Sequence, residues 1–391
     1  MLLKNVVLAD GVQTDIWISQ GKIQAMGKDL PIQDDQQIDA QGKTLLPSFI
    51  DLHCHWRTPG LEYKEDLQSG SKSAAAGGYT FVTLMPNTKP ICSTPEQAIE
   101  IEQKVKEIGL CEAIQTVSIT ENFDGSSVQR LLDFPEHIKF ITEDGKGIQN
   151  NEVMAKAFAI CSQKGITLMS HAEDMEISKW DYRLAENLET VRNIHLSEYY
   201  GTRLHFCHVS TKEAIMAIIQ AKEKGLPVTC EVTPHHIWFA DLDYKVNPPI
   251  RAQQDVQALI AAIQAGHVDA IATDHAPHTT EDKEKGMAGM VGLETAFGVC
   301  YTKLCLQNAL PLETLSNLMS YYPACILRLE KKGKIQLGWD ADLVLVDLEN
   351  PYQVDAESFY SKSKNTPFDK EILYGKICMT IKDGKIIYNN L

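Results

Sequence analysis

The chain has 391 residues, of which 44% are hydrophobic and 23% are charged, and its formal charge at pH 7 is −15. Such an acidic surface repels nucleic-acid phosphates and anionic lipid, so the composition argues against a nucleic-acid or membrane-surface partner. We expect a cytoplasmic protein, because the ten cysteines form no CxxC pair, no apolar run of about 18 residues occurs, and MLLKNVVLADG does not resemble a secretory signal.

Both ends of the chain predict short β-strands. Residues 2–47 include LLKNVVLADG and TDIWISQGKIQAMG, and residues from about 335 to 391 include ADLVLVD and GKICMTIKDGKIIYNN. These segments alternate apolar and polar residues and contain Gly-Lys or Asp-Gly turns. We therefore expect one small β-sandwich domain made of residues 1–47 and 335–391.

The middle of the chain, residues 48–334, alternates short apolar runs with helical periodicity. The eight runs are, in order, LLPSFIDLHCH, TFVTLMPN, AIQTVSIT, HIKFIT, ITLMSH, RLHFCHVS, VTCEVTPHH and DAIATDHAPH. Between them lie helical segments such as TPEQAIEIEQKVKEIG and NEVMAKAFAICSQKG, the second ending at Gly165. This pattern predicts an α/β fold of the (β/α)8 TIM-barrel type, and the absence of a GxGxxG turn argues against a doubly wound sheet.

Several of the eight runs end in residues that bind metals. His53 and His55 close the first run two positions apart, so on a strand they point the same way. His171 and His208 end the fifth and sixth runs, and Asp274 ends the eighth. Strand ends of one barrel meet at its C-terminal face. Imidazole and carboxylate groups gathered there predict a site for zinc-type cations.

The same motifs resemble the dihydroorotase branch of the amidohydrolase superfamily. The resemblance rests on DLHCHWRTPG at 51–60, MPNT at 85–88, NPPIR at 247–251, TDHAPH at 273–278 and VGLETAF at 291–297. It implies a zinc-dependent cyclic amidohydrolase with one or two Zn²⁺ per chain. The reaction implied is the reversible cyclisation of N-carbamoyl-L-aspartate to (S)-dihydroorotate in pyrimidine biosynthesis.

The resemblance leaves two candidates for the ligand that bridges the metals. Many members of the superfamily use a carboxylated lysine after strand four, and Lys139 could serve. Type I dihydroorotases use an aspartate in a DDG segment. ITEDGKGIQ resembles that segment and offers Asp144, although Glu143 replaces its first aspartate. We favour Asp144 over Lys139.

The resemblance also implies roles around the metals. Asp274 would bind a metal and act as general base and then general acid. The guanidinium of Arg57 would bind the substrate's unreacted carboxylate. Substrate contacts are further expected from Asn87, Asn247, His278, Ala288 and Gly289, the last two in the glycine-rich loop GMAGMVG.

Two alternatives and two partners remain open. Another cyclic amidohydrolase, such as a dihydropyrimidinase, hydantoinase or allantoinase, would share the metal face but is expected to lack the Arg57, Asn87 and His278 set. A non-catalytic pseudo-dihydroorotase that partners aspartate transcarbamoylase would lose metal ligands, which this chain keeps. The sequence leaves open a homodimer and a complex of the active enzyme with aspartate transcarbamoylase, beside the small-molecule substrate.

Overall fold

The computed structural model describes all residues from 1 to 391. The strands before the barrel are β1 (Leu2–Val7), β2 (Gln13–Ser19), β3 (Lys22–Gly27), β4 (Gln37–Asp39) and β5 (Thr44–Pro47). Those of the barrel are β6 (Phe49–Cys54), β7 (Tyr79–Leu84), β8 (Glu112–Gln115), β9 (Val117–Ser118), β10 (Phe140–Thr142), β11 (Thr167–Ser170), β12 (Leu204–Phe206), β13 (Val228–Val232) and β14 (Ala270–Ile271). The last are β15 (Leu343–Asp347), β16 (Tyr352–Gln353), β17 (Ile372–Leu373), β18 (Lys376–Lys382) and β19 (Lys385–Asn389).

The helices lie between and after the barrel strands. They are α1 (Leu67–Ala76), α2 (Pro95–Ile108), α3 (Asn151–Lys164), α4 (Tyr182–Tyr200), α5 (Lys212–Glu223), α6 (Pro234–Trp238), α7 (Gln253–Gln264), α8 (Thr280–Glu284), α9 (Ala296–Cys300), α10 (Leu312–Ser316) and α11 (Tyr322–Leu327). Asn150 caps the start of α3 by accepting from the backbone of Glu152 and Val153, and Gly165 ends it in the left-handed conformation. None of these helices has the length and apolar composition needed to cross a bilayer.

The middle of the chain forms a closed parallel barrel. One sheet runs β6-β7-β8 and another runs β14-β13-β12-β11-β10-β9. The strands β8 and β9 are one strand interrupted at Thr116, so the barrel has eight. A parallel bridge between Cys54 and His275 joins the first strand to the last. The predicted (β/α)8 barrel is confirmed, and its strand ends converge on one face.

The two ends of the chain share a second sheet. Its order is β19-β18-β15-β5-β1-β2-β3, with β4 added to β1. Strands from both ends contribute to one apolar core of 13 buried residues, among them Leu3, Ile16, Leu343 and Ile381. The alternation seen in the sequence explains this core, because every second side chain of a strand points to the same face.

Large apolar side chains fill the barrel interior below the C-terminal ends of its strands. Ile50, Leu52, Phe81 and Phe140 belong to an interior cluster of 11 buried residues that also includes Leu327 of α11. A filled interior leaves open only the face at the C-terminal ends of the strands, where the polar side chains lie.

Candidate active site

Two candidate metal-binding clusters lie at the C-terminal ends of the barrel strands. His53, His55 and Asp274 form the first, with ligand atoms mutually within 4.8 Å. Nε2 of His55 lies 3.2 Å and Nε2 of His53 lies 3.7 Å from Oδ1 of Asp274. Barrel closure brings these residues together, since the backbone N–H of His55 donates to the carbonyl of His275 at 2.8 Å.

The second cluster shares His53 with the first and adds Asp144 and His208. Oδ1 of Asp144 lies 3.2 Å from Nε2 of His53 and 3.6 Å from Nε2 of His208. Nδ1 of His171 lies 3.4 Å from the same oxygen. The other oxygen of Asp144, Oδ2, lies 3.5 Å from Nε2 of His55, so this carboxylate faces both clusters.

The spacing between donor atoms suits shared cations. Two ligand atoms about 2.1 Å from one tetrahedral zinc lie about 3.4 Å apart. The carboxylate–imidazole distances of the two clusters run from 3.2 to 3.7 Å. Nε2 of His53 and Oδ1 of Asp144 are also buried without a hydrogen-bond partner. Buried polar atoms rarely lack a partner, so these two atoms fit a metal that both would bind.

In each of three histidines, a neighbouring oxygen atom determines which ring nitrogen is free to bind a metal. Nδ1 of His53 faces Oε1 of Glu231 at 3.1 Å, and Nδ1 of His55 faces Oδ1 of Asn87 at 2.8 Å. These oxygens only accept, so the ring nitrogen that faces them donates and the opposite nitrogen keeps its lone pair.

In His171 the roles of the two ring nitrogens are exchanged. Its Nε2 faces Oε2 of Glu173 at 2.9 Å, which leaves Nδ1 toward Asp144. In all three histidines the free nitrogen points into the clusters. Such outer partners orient metal-binding histidines and select their tautomer.

One thiol lies beside the first cluster. Cys207 is buried near His53 and Glu231. Burial, with the nearby Glu231 carboxylate, raises the pKa of this thiol to about 12. Cys207 is the only cysteine in these groups, and all the other donors are imidazole or carboxylate groups.

The structure brings Asp144, and not Lys139, into the clusters. Lys139 precedes β10, at the end of the strand opposite the catalytic face, whereas Asp144 follows β10. Glu143, where the sequence departs from DDG, turns away from the clusters and accepts from the backbone N–H of Thr120 at 3.0 Å. The departure therefore falls on a side chain that does not face the clusters.

The two cluster carboxylates are ionised. Burial raises the pKa of Asp274, but the neighbouring imidazoles of His55 and His53 outweigh it, and the pKa falls below its ordinary value. The pKa of Asp144 is well below its ordinary value for the same reason: His53, His171 and His208 outweigh burial. Both side chains are thus ready to bind cations or accept protons near neutral pH.

Three predicted site residues have a left-handed backbone. The φ angles are 57° at Arg57, 35° at His208 and 47° at Asp274. A non-glycine residue in this region costs on the order of 1–3 kcal/mol. Strain of this kind clusters at functional sites, and all three residues lie within three positions of the end of a barrel strand.

A cavity of about 220 Å³ opens over the clusters. Among the residues that line it are all the predicted substrate contacts: Arg57, Asn87, Asn247, His278, Ala288 and Gly289. Nη2 of Arg57 lies 3.3 Å from Nε2 of His278, and both side chains are buried. Asn247 donates to Oε2 of Glu173 at 2.8 Å, and the same oxygen contacts Nε2 of His171.

Gly289 allows a loop to approach the cavity closely. Its φ is +136°, and a Cβ there would lie 2.7 Å from the carbonyl oxygen of Ala276 and 3.0 Å from the ring of His278. Asn365 donates to the carbonyl of Gly289 at 3.0 Å and accepts from the backbone N–H of His278 at 3.2 Å. A residue near the chain's end thus joins two loops of the cavity.

Sequence reasoning missed several supporting residues. Glu231, Glu173 and Lys64 are almost fully buried and contact predicted site residues. A charged residue inside the apolar run VTCEVTP was an available signal for Glu231, because an ionisable side chain in a buried strand needs a partner. Nothing in the local sequence marks Asn365, whose role depends on contacts across the fold.

Comparison with known proteins decides the family. The model of the amidohydrolase family matches residues 44–387. The chain belongs to the amidohydrolase family. Enzymes of this family depend on bound metal, and the two clusters are candidates for that site.

The curated relatives place the chain among the dihydroorotases. A dihydroorotase from Clostridium botulinum (strain Eklund 17B / Type B) is 48% identical over 395 residues, covering 99% of each chain. A dihydroorotase from Brevibacillus brevis is 36% identical and covers 96% of this chain and 95% of its own. The predicted dihydroorotase resemblance is confirmed.

Solved structures share the architecture. The L-hydantoinase (dihydropyrimidinase) from Arthrobacter aurescens has a TM-score of 0.88 at 26% identity and covers 100% of this chain and 96% of its own. The dihydropyrimidinase from Brevibacillus agri also has a TM-score of 0.88, at 22% identity, covering 100% and 95%. These neighbours confirm the barrel with its second sheet and belong to the alternative enzyme class.

Proposed function

We propose that this chain is a dihydroorotase that interconverts N-carbamoyl-L-aspartate and (S)-dihydroorotate. The observation that carries the proposal is the arrangement of Arg57 and His278 beside the clusters, on the wall of one cavity of about 220 Å³. The dihydroorotate ring carries an amide to be cleaved and a carboxylate that does not react. The clusters would hold the metal that promotes cleavage of the amide, and the adjacent cationic wall would bind the carboxylate.

We propose that His53, His55 and Asp274 would hold one Zn²⁺, that His171 and His208 would hold a second, and that Asp144 would contribute its carboxylate to this pair of sites. Imidazole and carboxylate donors suit zinc. When bound, the cations supply activation of a water molecule and polarisation of the scissile carbonyl.

Asp274 moves the proton in this proposal. During ring opening, the C–O bond to water forms and the ring C–N bond breaks. Asp274 accepts a proton from the water and donates it to the leaving nitrogen, and the second water proton is released as the new carboxyl group ionises. Its lowered pKa keeps Asp274 ionised at neutral pH, which is the form that a general base requires. Ring closure reverses each step.

The remaining residues bind the substrate. The guanidinium of Arg57 and the imidazole of His278 take the unreacted carboxylate. Asn87 orients His55 through Oδ1, and its amide nitrogen, 3.4 Å from Oδ2 of Asp144, lies at the cavity where the substrate would bind. Backbone groups of Ala288 and Gly289 contact the ring, because the absent Cβ of Gly289 leaves room for close approach. Asn247 closes the side of the cavity next to His171.

A hydantoinase or dihydropyrimidinase activity is the second candidate, favoured by the solved neighbours. Such substrates lack a ring carboxylate and leave Arg57 without an anion. Comparison of turnover of dihydroorotate with turnover of an uncharged dihydropyrimidine separates the two. A greater kcat/KM for the uncharged ring would favour the second candidate.

The purified chain provides the direct test. With added zinc it should hold one to two divalent ions and interconvert the two substrates, followed by dihydroorotate absorbance and by elemental analysis. Metal removal by a chelator should abolish turnover, and zinc should restore it. Zinc-loaded protein with no turnover in either direction would overturn the proposal and would fit the non-catalytic partner instead.

We further propose a cytoplasmic location and two structural units, residues 1–47 with 335–391 and residues 48–334. A homodimer and a complex with aspartate transcarbamoylase stay predictions. Light scattering of the protein alone and mixed with a transcarbamoylase tests both.

A further inference from the structure

A buried lysine lies behind the wall of the cavity. Lys64 follows the first barrel strand and is 5% exposed. Its Nζ lies 3.2 Å from Nδ1 of His278 and 3.1 Å from Oδ2 of Asp282. Burial of an ammonium is costly unless a partner compensates it, and here a carboxylate and an imidazole share it.

The other side of the same imidazole faces Arg57. Nη2 of Arg57 lies 3.3 Å from Nε2 of His278. The ring of His278 thus lies between two cations, and neither an ammonium nor a guanidinium can accept a hydrogen bond. A neutral imidazole carries one proton, so it can accept from only one of the two.

The geometry points to Lys64 as a positioning residue for substrate binding, an inference that rests on the proposed dihydroorotase function. The ammonium of Lys64 donates to Nδ1 of His278, and the ring proton is therefore on Nε2. The Nε2–H and the guanidinium of Arg57 then present two donors to the same point in the cavity. Two donors 3.3 Å apart suit one carboxylate that accepts from both.

The charges around His278 keep it a neutral donor. Burial, then Arg57 and Lys64, lower its pKa to about 3, and Asp282 and a hydrogen bond to the backbone of Ala288 oppose them. The ring is therefore neutral across the physiological range and owes its orientation to Lys64. Removal of the Lys64 charge leaves Asp282 unpaired, and both changes raise the pKa of His278.

The test measures KM for dihydroorotate and for N-carbamoyl-aspartate in the zinc-loaded enzyme between about pH 6 and about pH 9. At the alkaline end of this pH range, KM of Lys64→Met should be about tenfold higher than KM of the wild type, because one charged hydrogen bond to the substrate is lost. The ratio should fall as the pH decreases, because protonated His278 again offers Nε2–H to the carboxylate. The change in kcat should stay within about threefold.

Two further variants define the mechanism. Lys64→Arg keeps a donor, so its KM should stay within about threefold of the wild type. In a His278→Ala background, Lys64→Met should change KM by less than about twofold, because Lys64 acts through the imidazole. Lys362→Met is the matched control: Lys362 pairs with Asp66 outside the cavity, and its loss removes the same charge without changing KM.

The outcomes separate this inference from the proposed function. An unchanged KM in Lys64→Met, a defect equal at all pH values, or an additive effect with His278→Ala would each overturn the role of Lys64 while the wild type remains active. Lys64→Gln replaces Lys64→Met if thermal melting shows the latter unfolded, and the same ratios apply. A zinc-loaded wild type without activity would overturn the proposed function itself.

Discussion

Oε1 of Glu231 lies 3.1 Å from Nδ1 of His53, and neither side chain is exposed to solvent. Oε2 of the same carboxylate lies 3.0 Å from Nε2 of His205, so Glu231 is fixed from both sides. A carboxylate in this position orients the imidazole and makes its free nitrogen a stronger metal donor.

Glu231→Gln should therefore lower zinc affinity about 10- to 100-fold. Competition with a chromophoric chelator measures the affinity. Glu102→Gln, at a carboxylate on α2 that accepts from the backbone of Gln115, is the control and should leave affinity unchanged. Equal zinc affinity in Glu231→Gln and the wild type would argue against this role.

Asp274→Asn should keep the fold and at least one metal but lose about 10²–10⁴-fold in kcat, the range for loss of a general acid–base group. The amide can neither accept the proton from water nor return it to nitrogen. Dihydroorotate absorbance gives the rate, and elemental analysis gives the metal content. Retention of more than about a tenth of the wild-type rate would exclude Asp274 as the proton carrier.

Arg57→Ala should reduce kcat/KM for dihydroorotate about 100-fold, because two charged hydrogen bonds to the carboxylate are lost. An uncharged dihydropyrimidine should be affected much less. The ratio of the two losses is the measurement. Losses of equal size on both substrates would contradict a carboxylate contact at Arg57.

Gly289→Ala should raise KM about tenfold without unfolding the protein, since an added Cβ would meet the backbone of Ala276 at 2.7 Å and strain the left-handed backbone. Steady-state kinetics and circular dichroism measure the two effects. Gly266→Ala is the control: its φ is +75°, but nothing lies within 4 Å of an added Cβ, so only stability should change. A normal KM in Gly289→Ala would show that the loop can move without loss of binding.

Glu189 should make stability depend on pH. Burial raises the pKa of this carboxyl on α4 to about 8 and outweighs the opposing effect of Arg192, whose guanidinium lies 2.8 Å away. The folded state therefore binds the proton of Glu189 more tightly than the unfolded state does. The resulting contribution to the free energy of unfolding is complete below the unfolded pKa of about 4.3 and is lost as the pH rises through about 8.

Thermal melts of wild type and Glu189→Gln between about pH 5 and about pH 9 test this effect. The wild type should lose Tm relative to the variant as the pH rises, because the amide does not ionise. A difference in Tm that stays constant across this range would argue against a raised pKa at Glu189.

Much of the fold was predictable because its signals are local. The eight apolar runs each fit one barrel strand, and strand alternation placed His53 and His55 on one side. The left-handed backbone at Arg57, His208 and Asp274 was not predictable, because such strain is imposed by the surrounding fold.

The supporting residues of the site depend on contacts between distant segments. Lys64 meets His278 across 214 positions, and Glu231 meets His53 across 178. No local pattern encodes such pairings. The choice between Asp144 and Lys139 likewise depended on which end of β10 faces the cavity. The metal and substrate roles of these side chains stay predictions for the experiments above.

Barrel closure sets the point during synthesis at which the first cluster is complete. The bridge from Cys54 to His275 joins the first and last barrel strands, and Asp274 completes the cluster begun by His53 and His55. A ribosome-bound chain that ends before β14 holds the two imidazoles but lacks their carboxylate partner. The first cluster therefore forms only after more than two-thirds of the chain has been made.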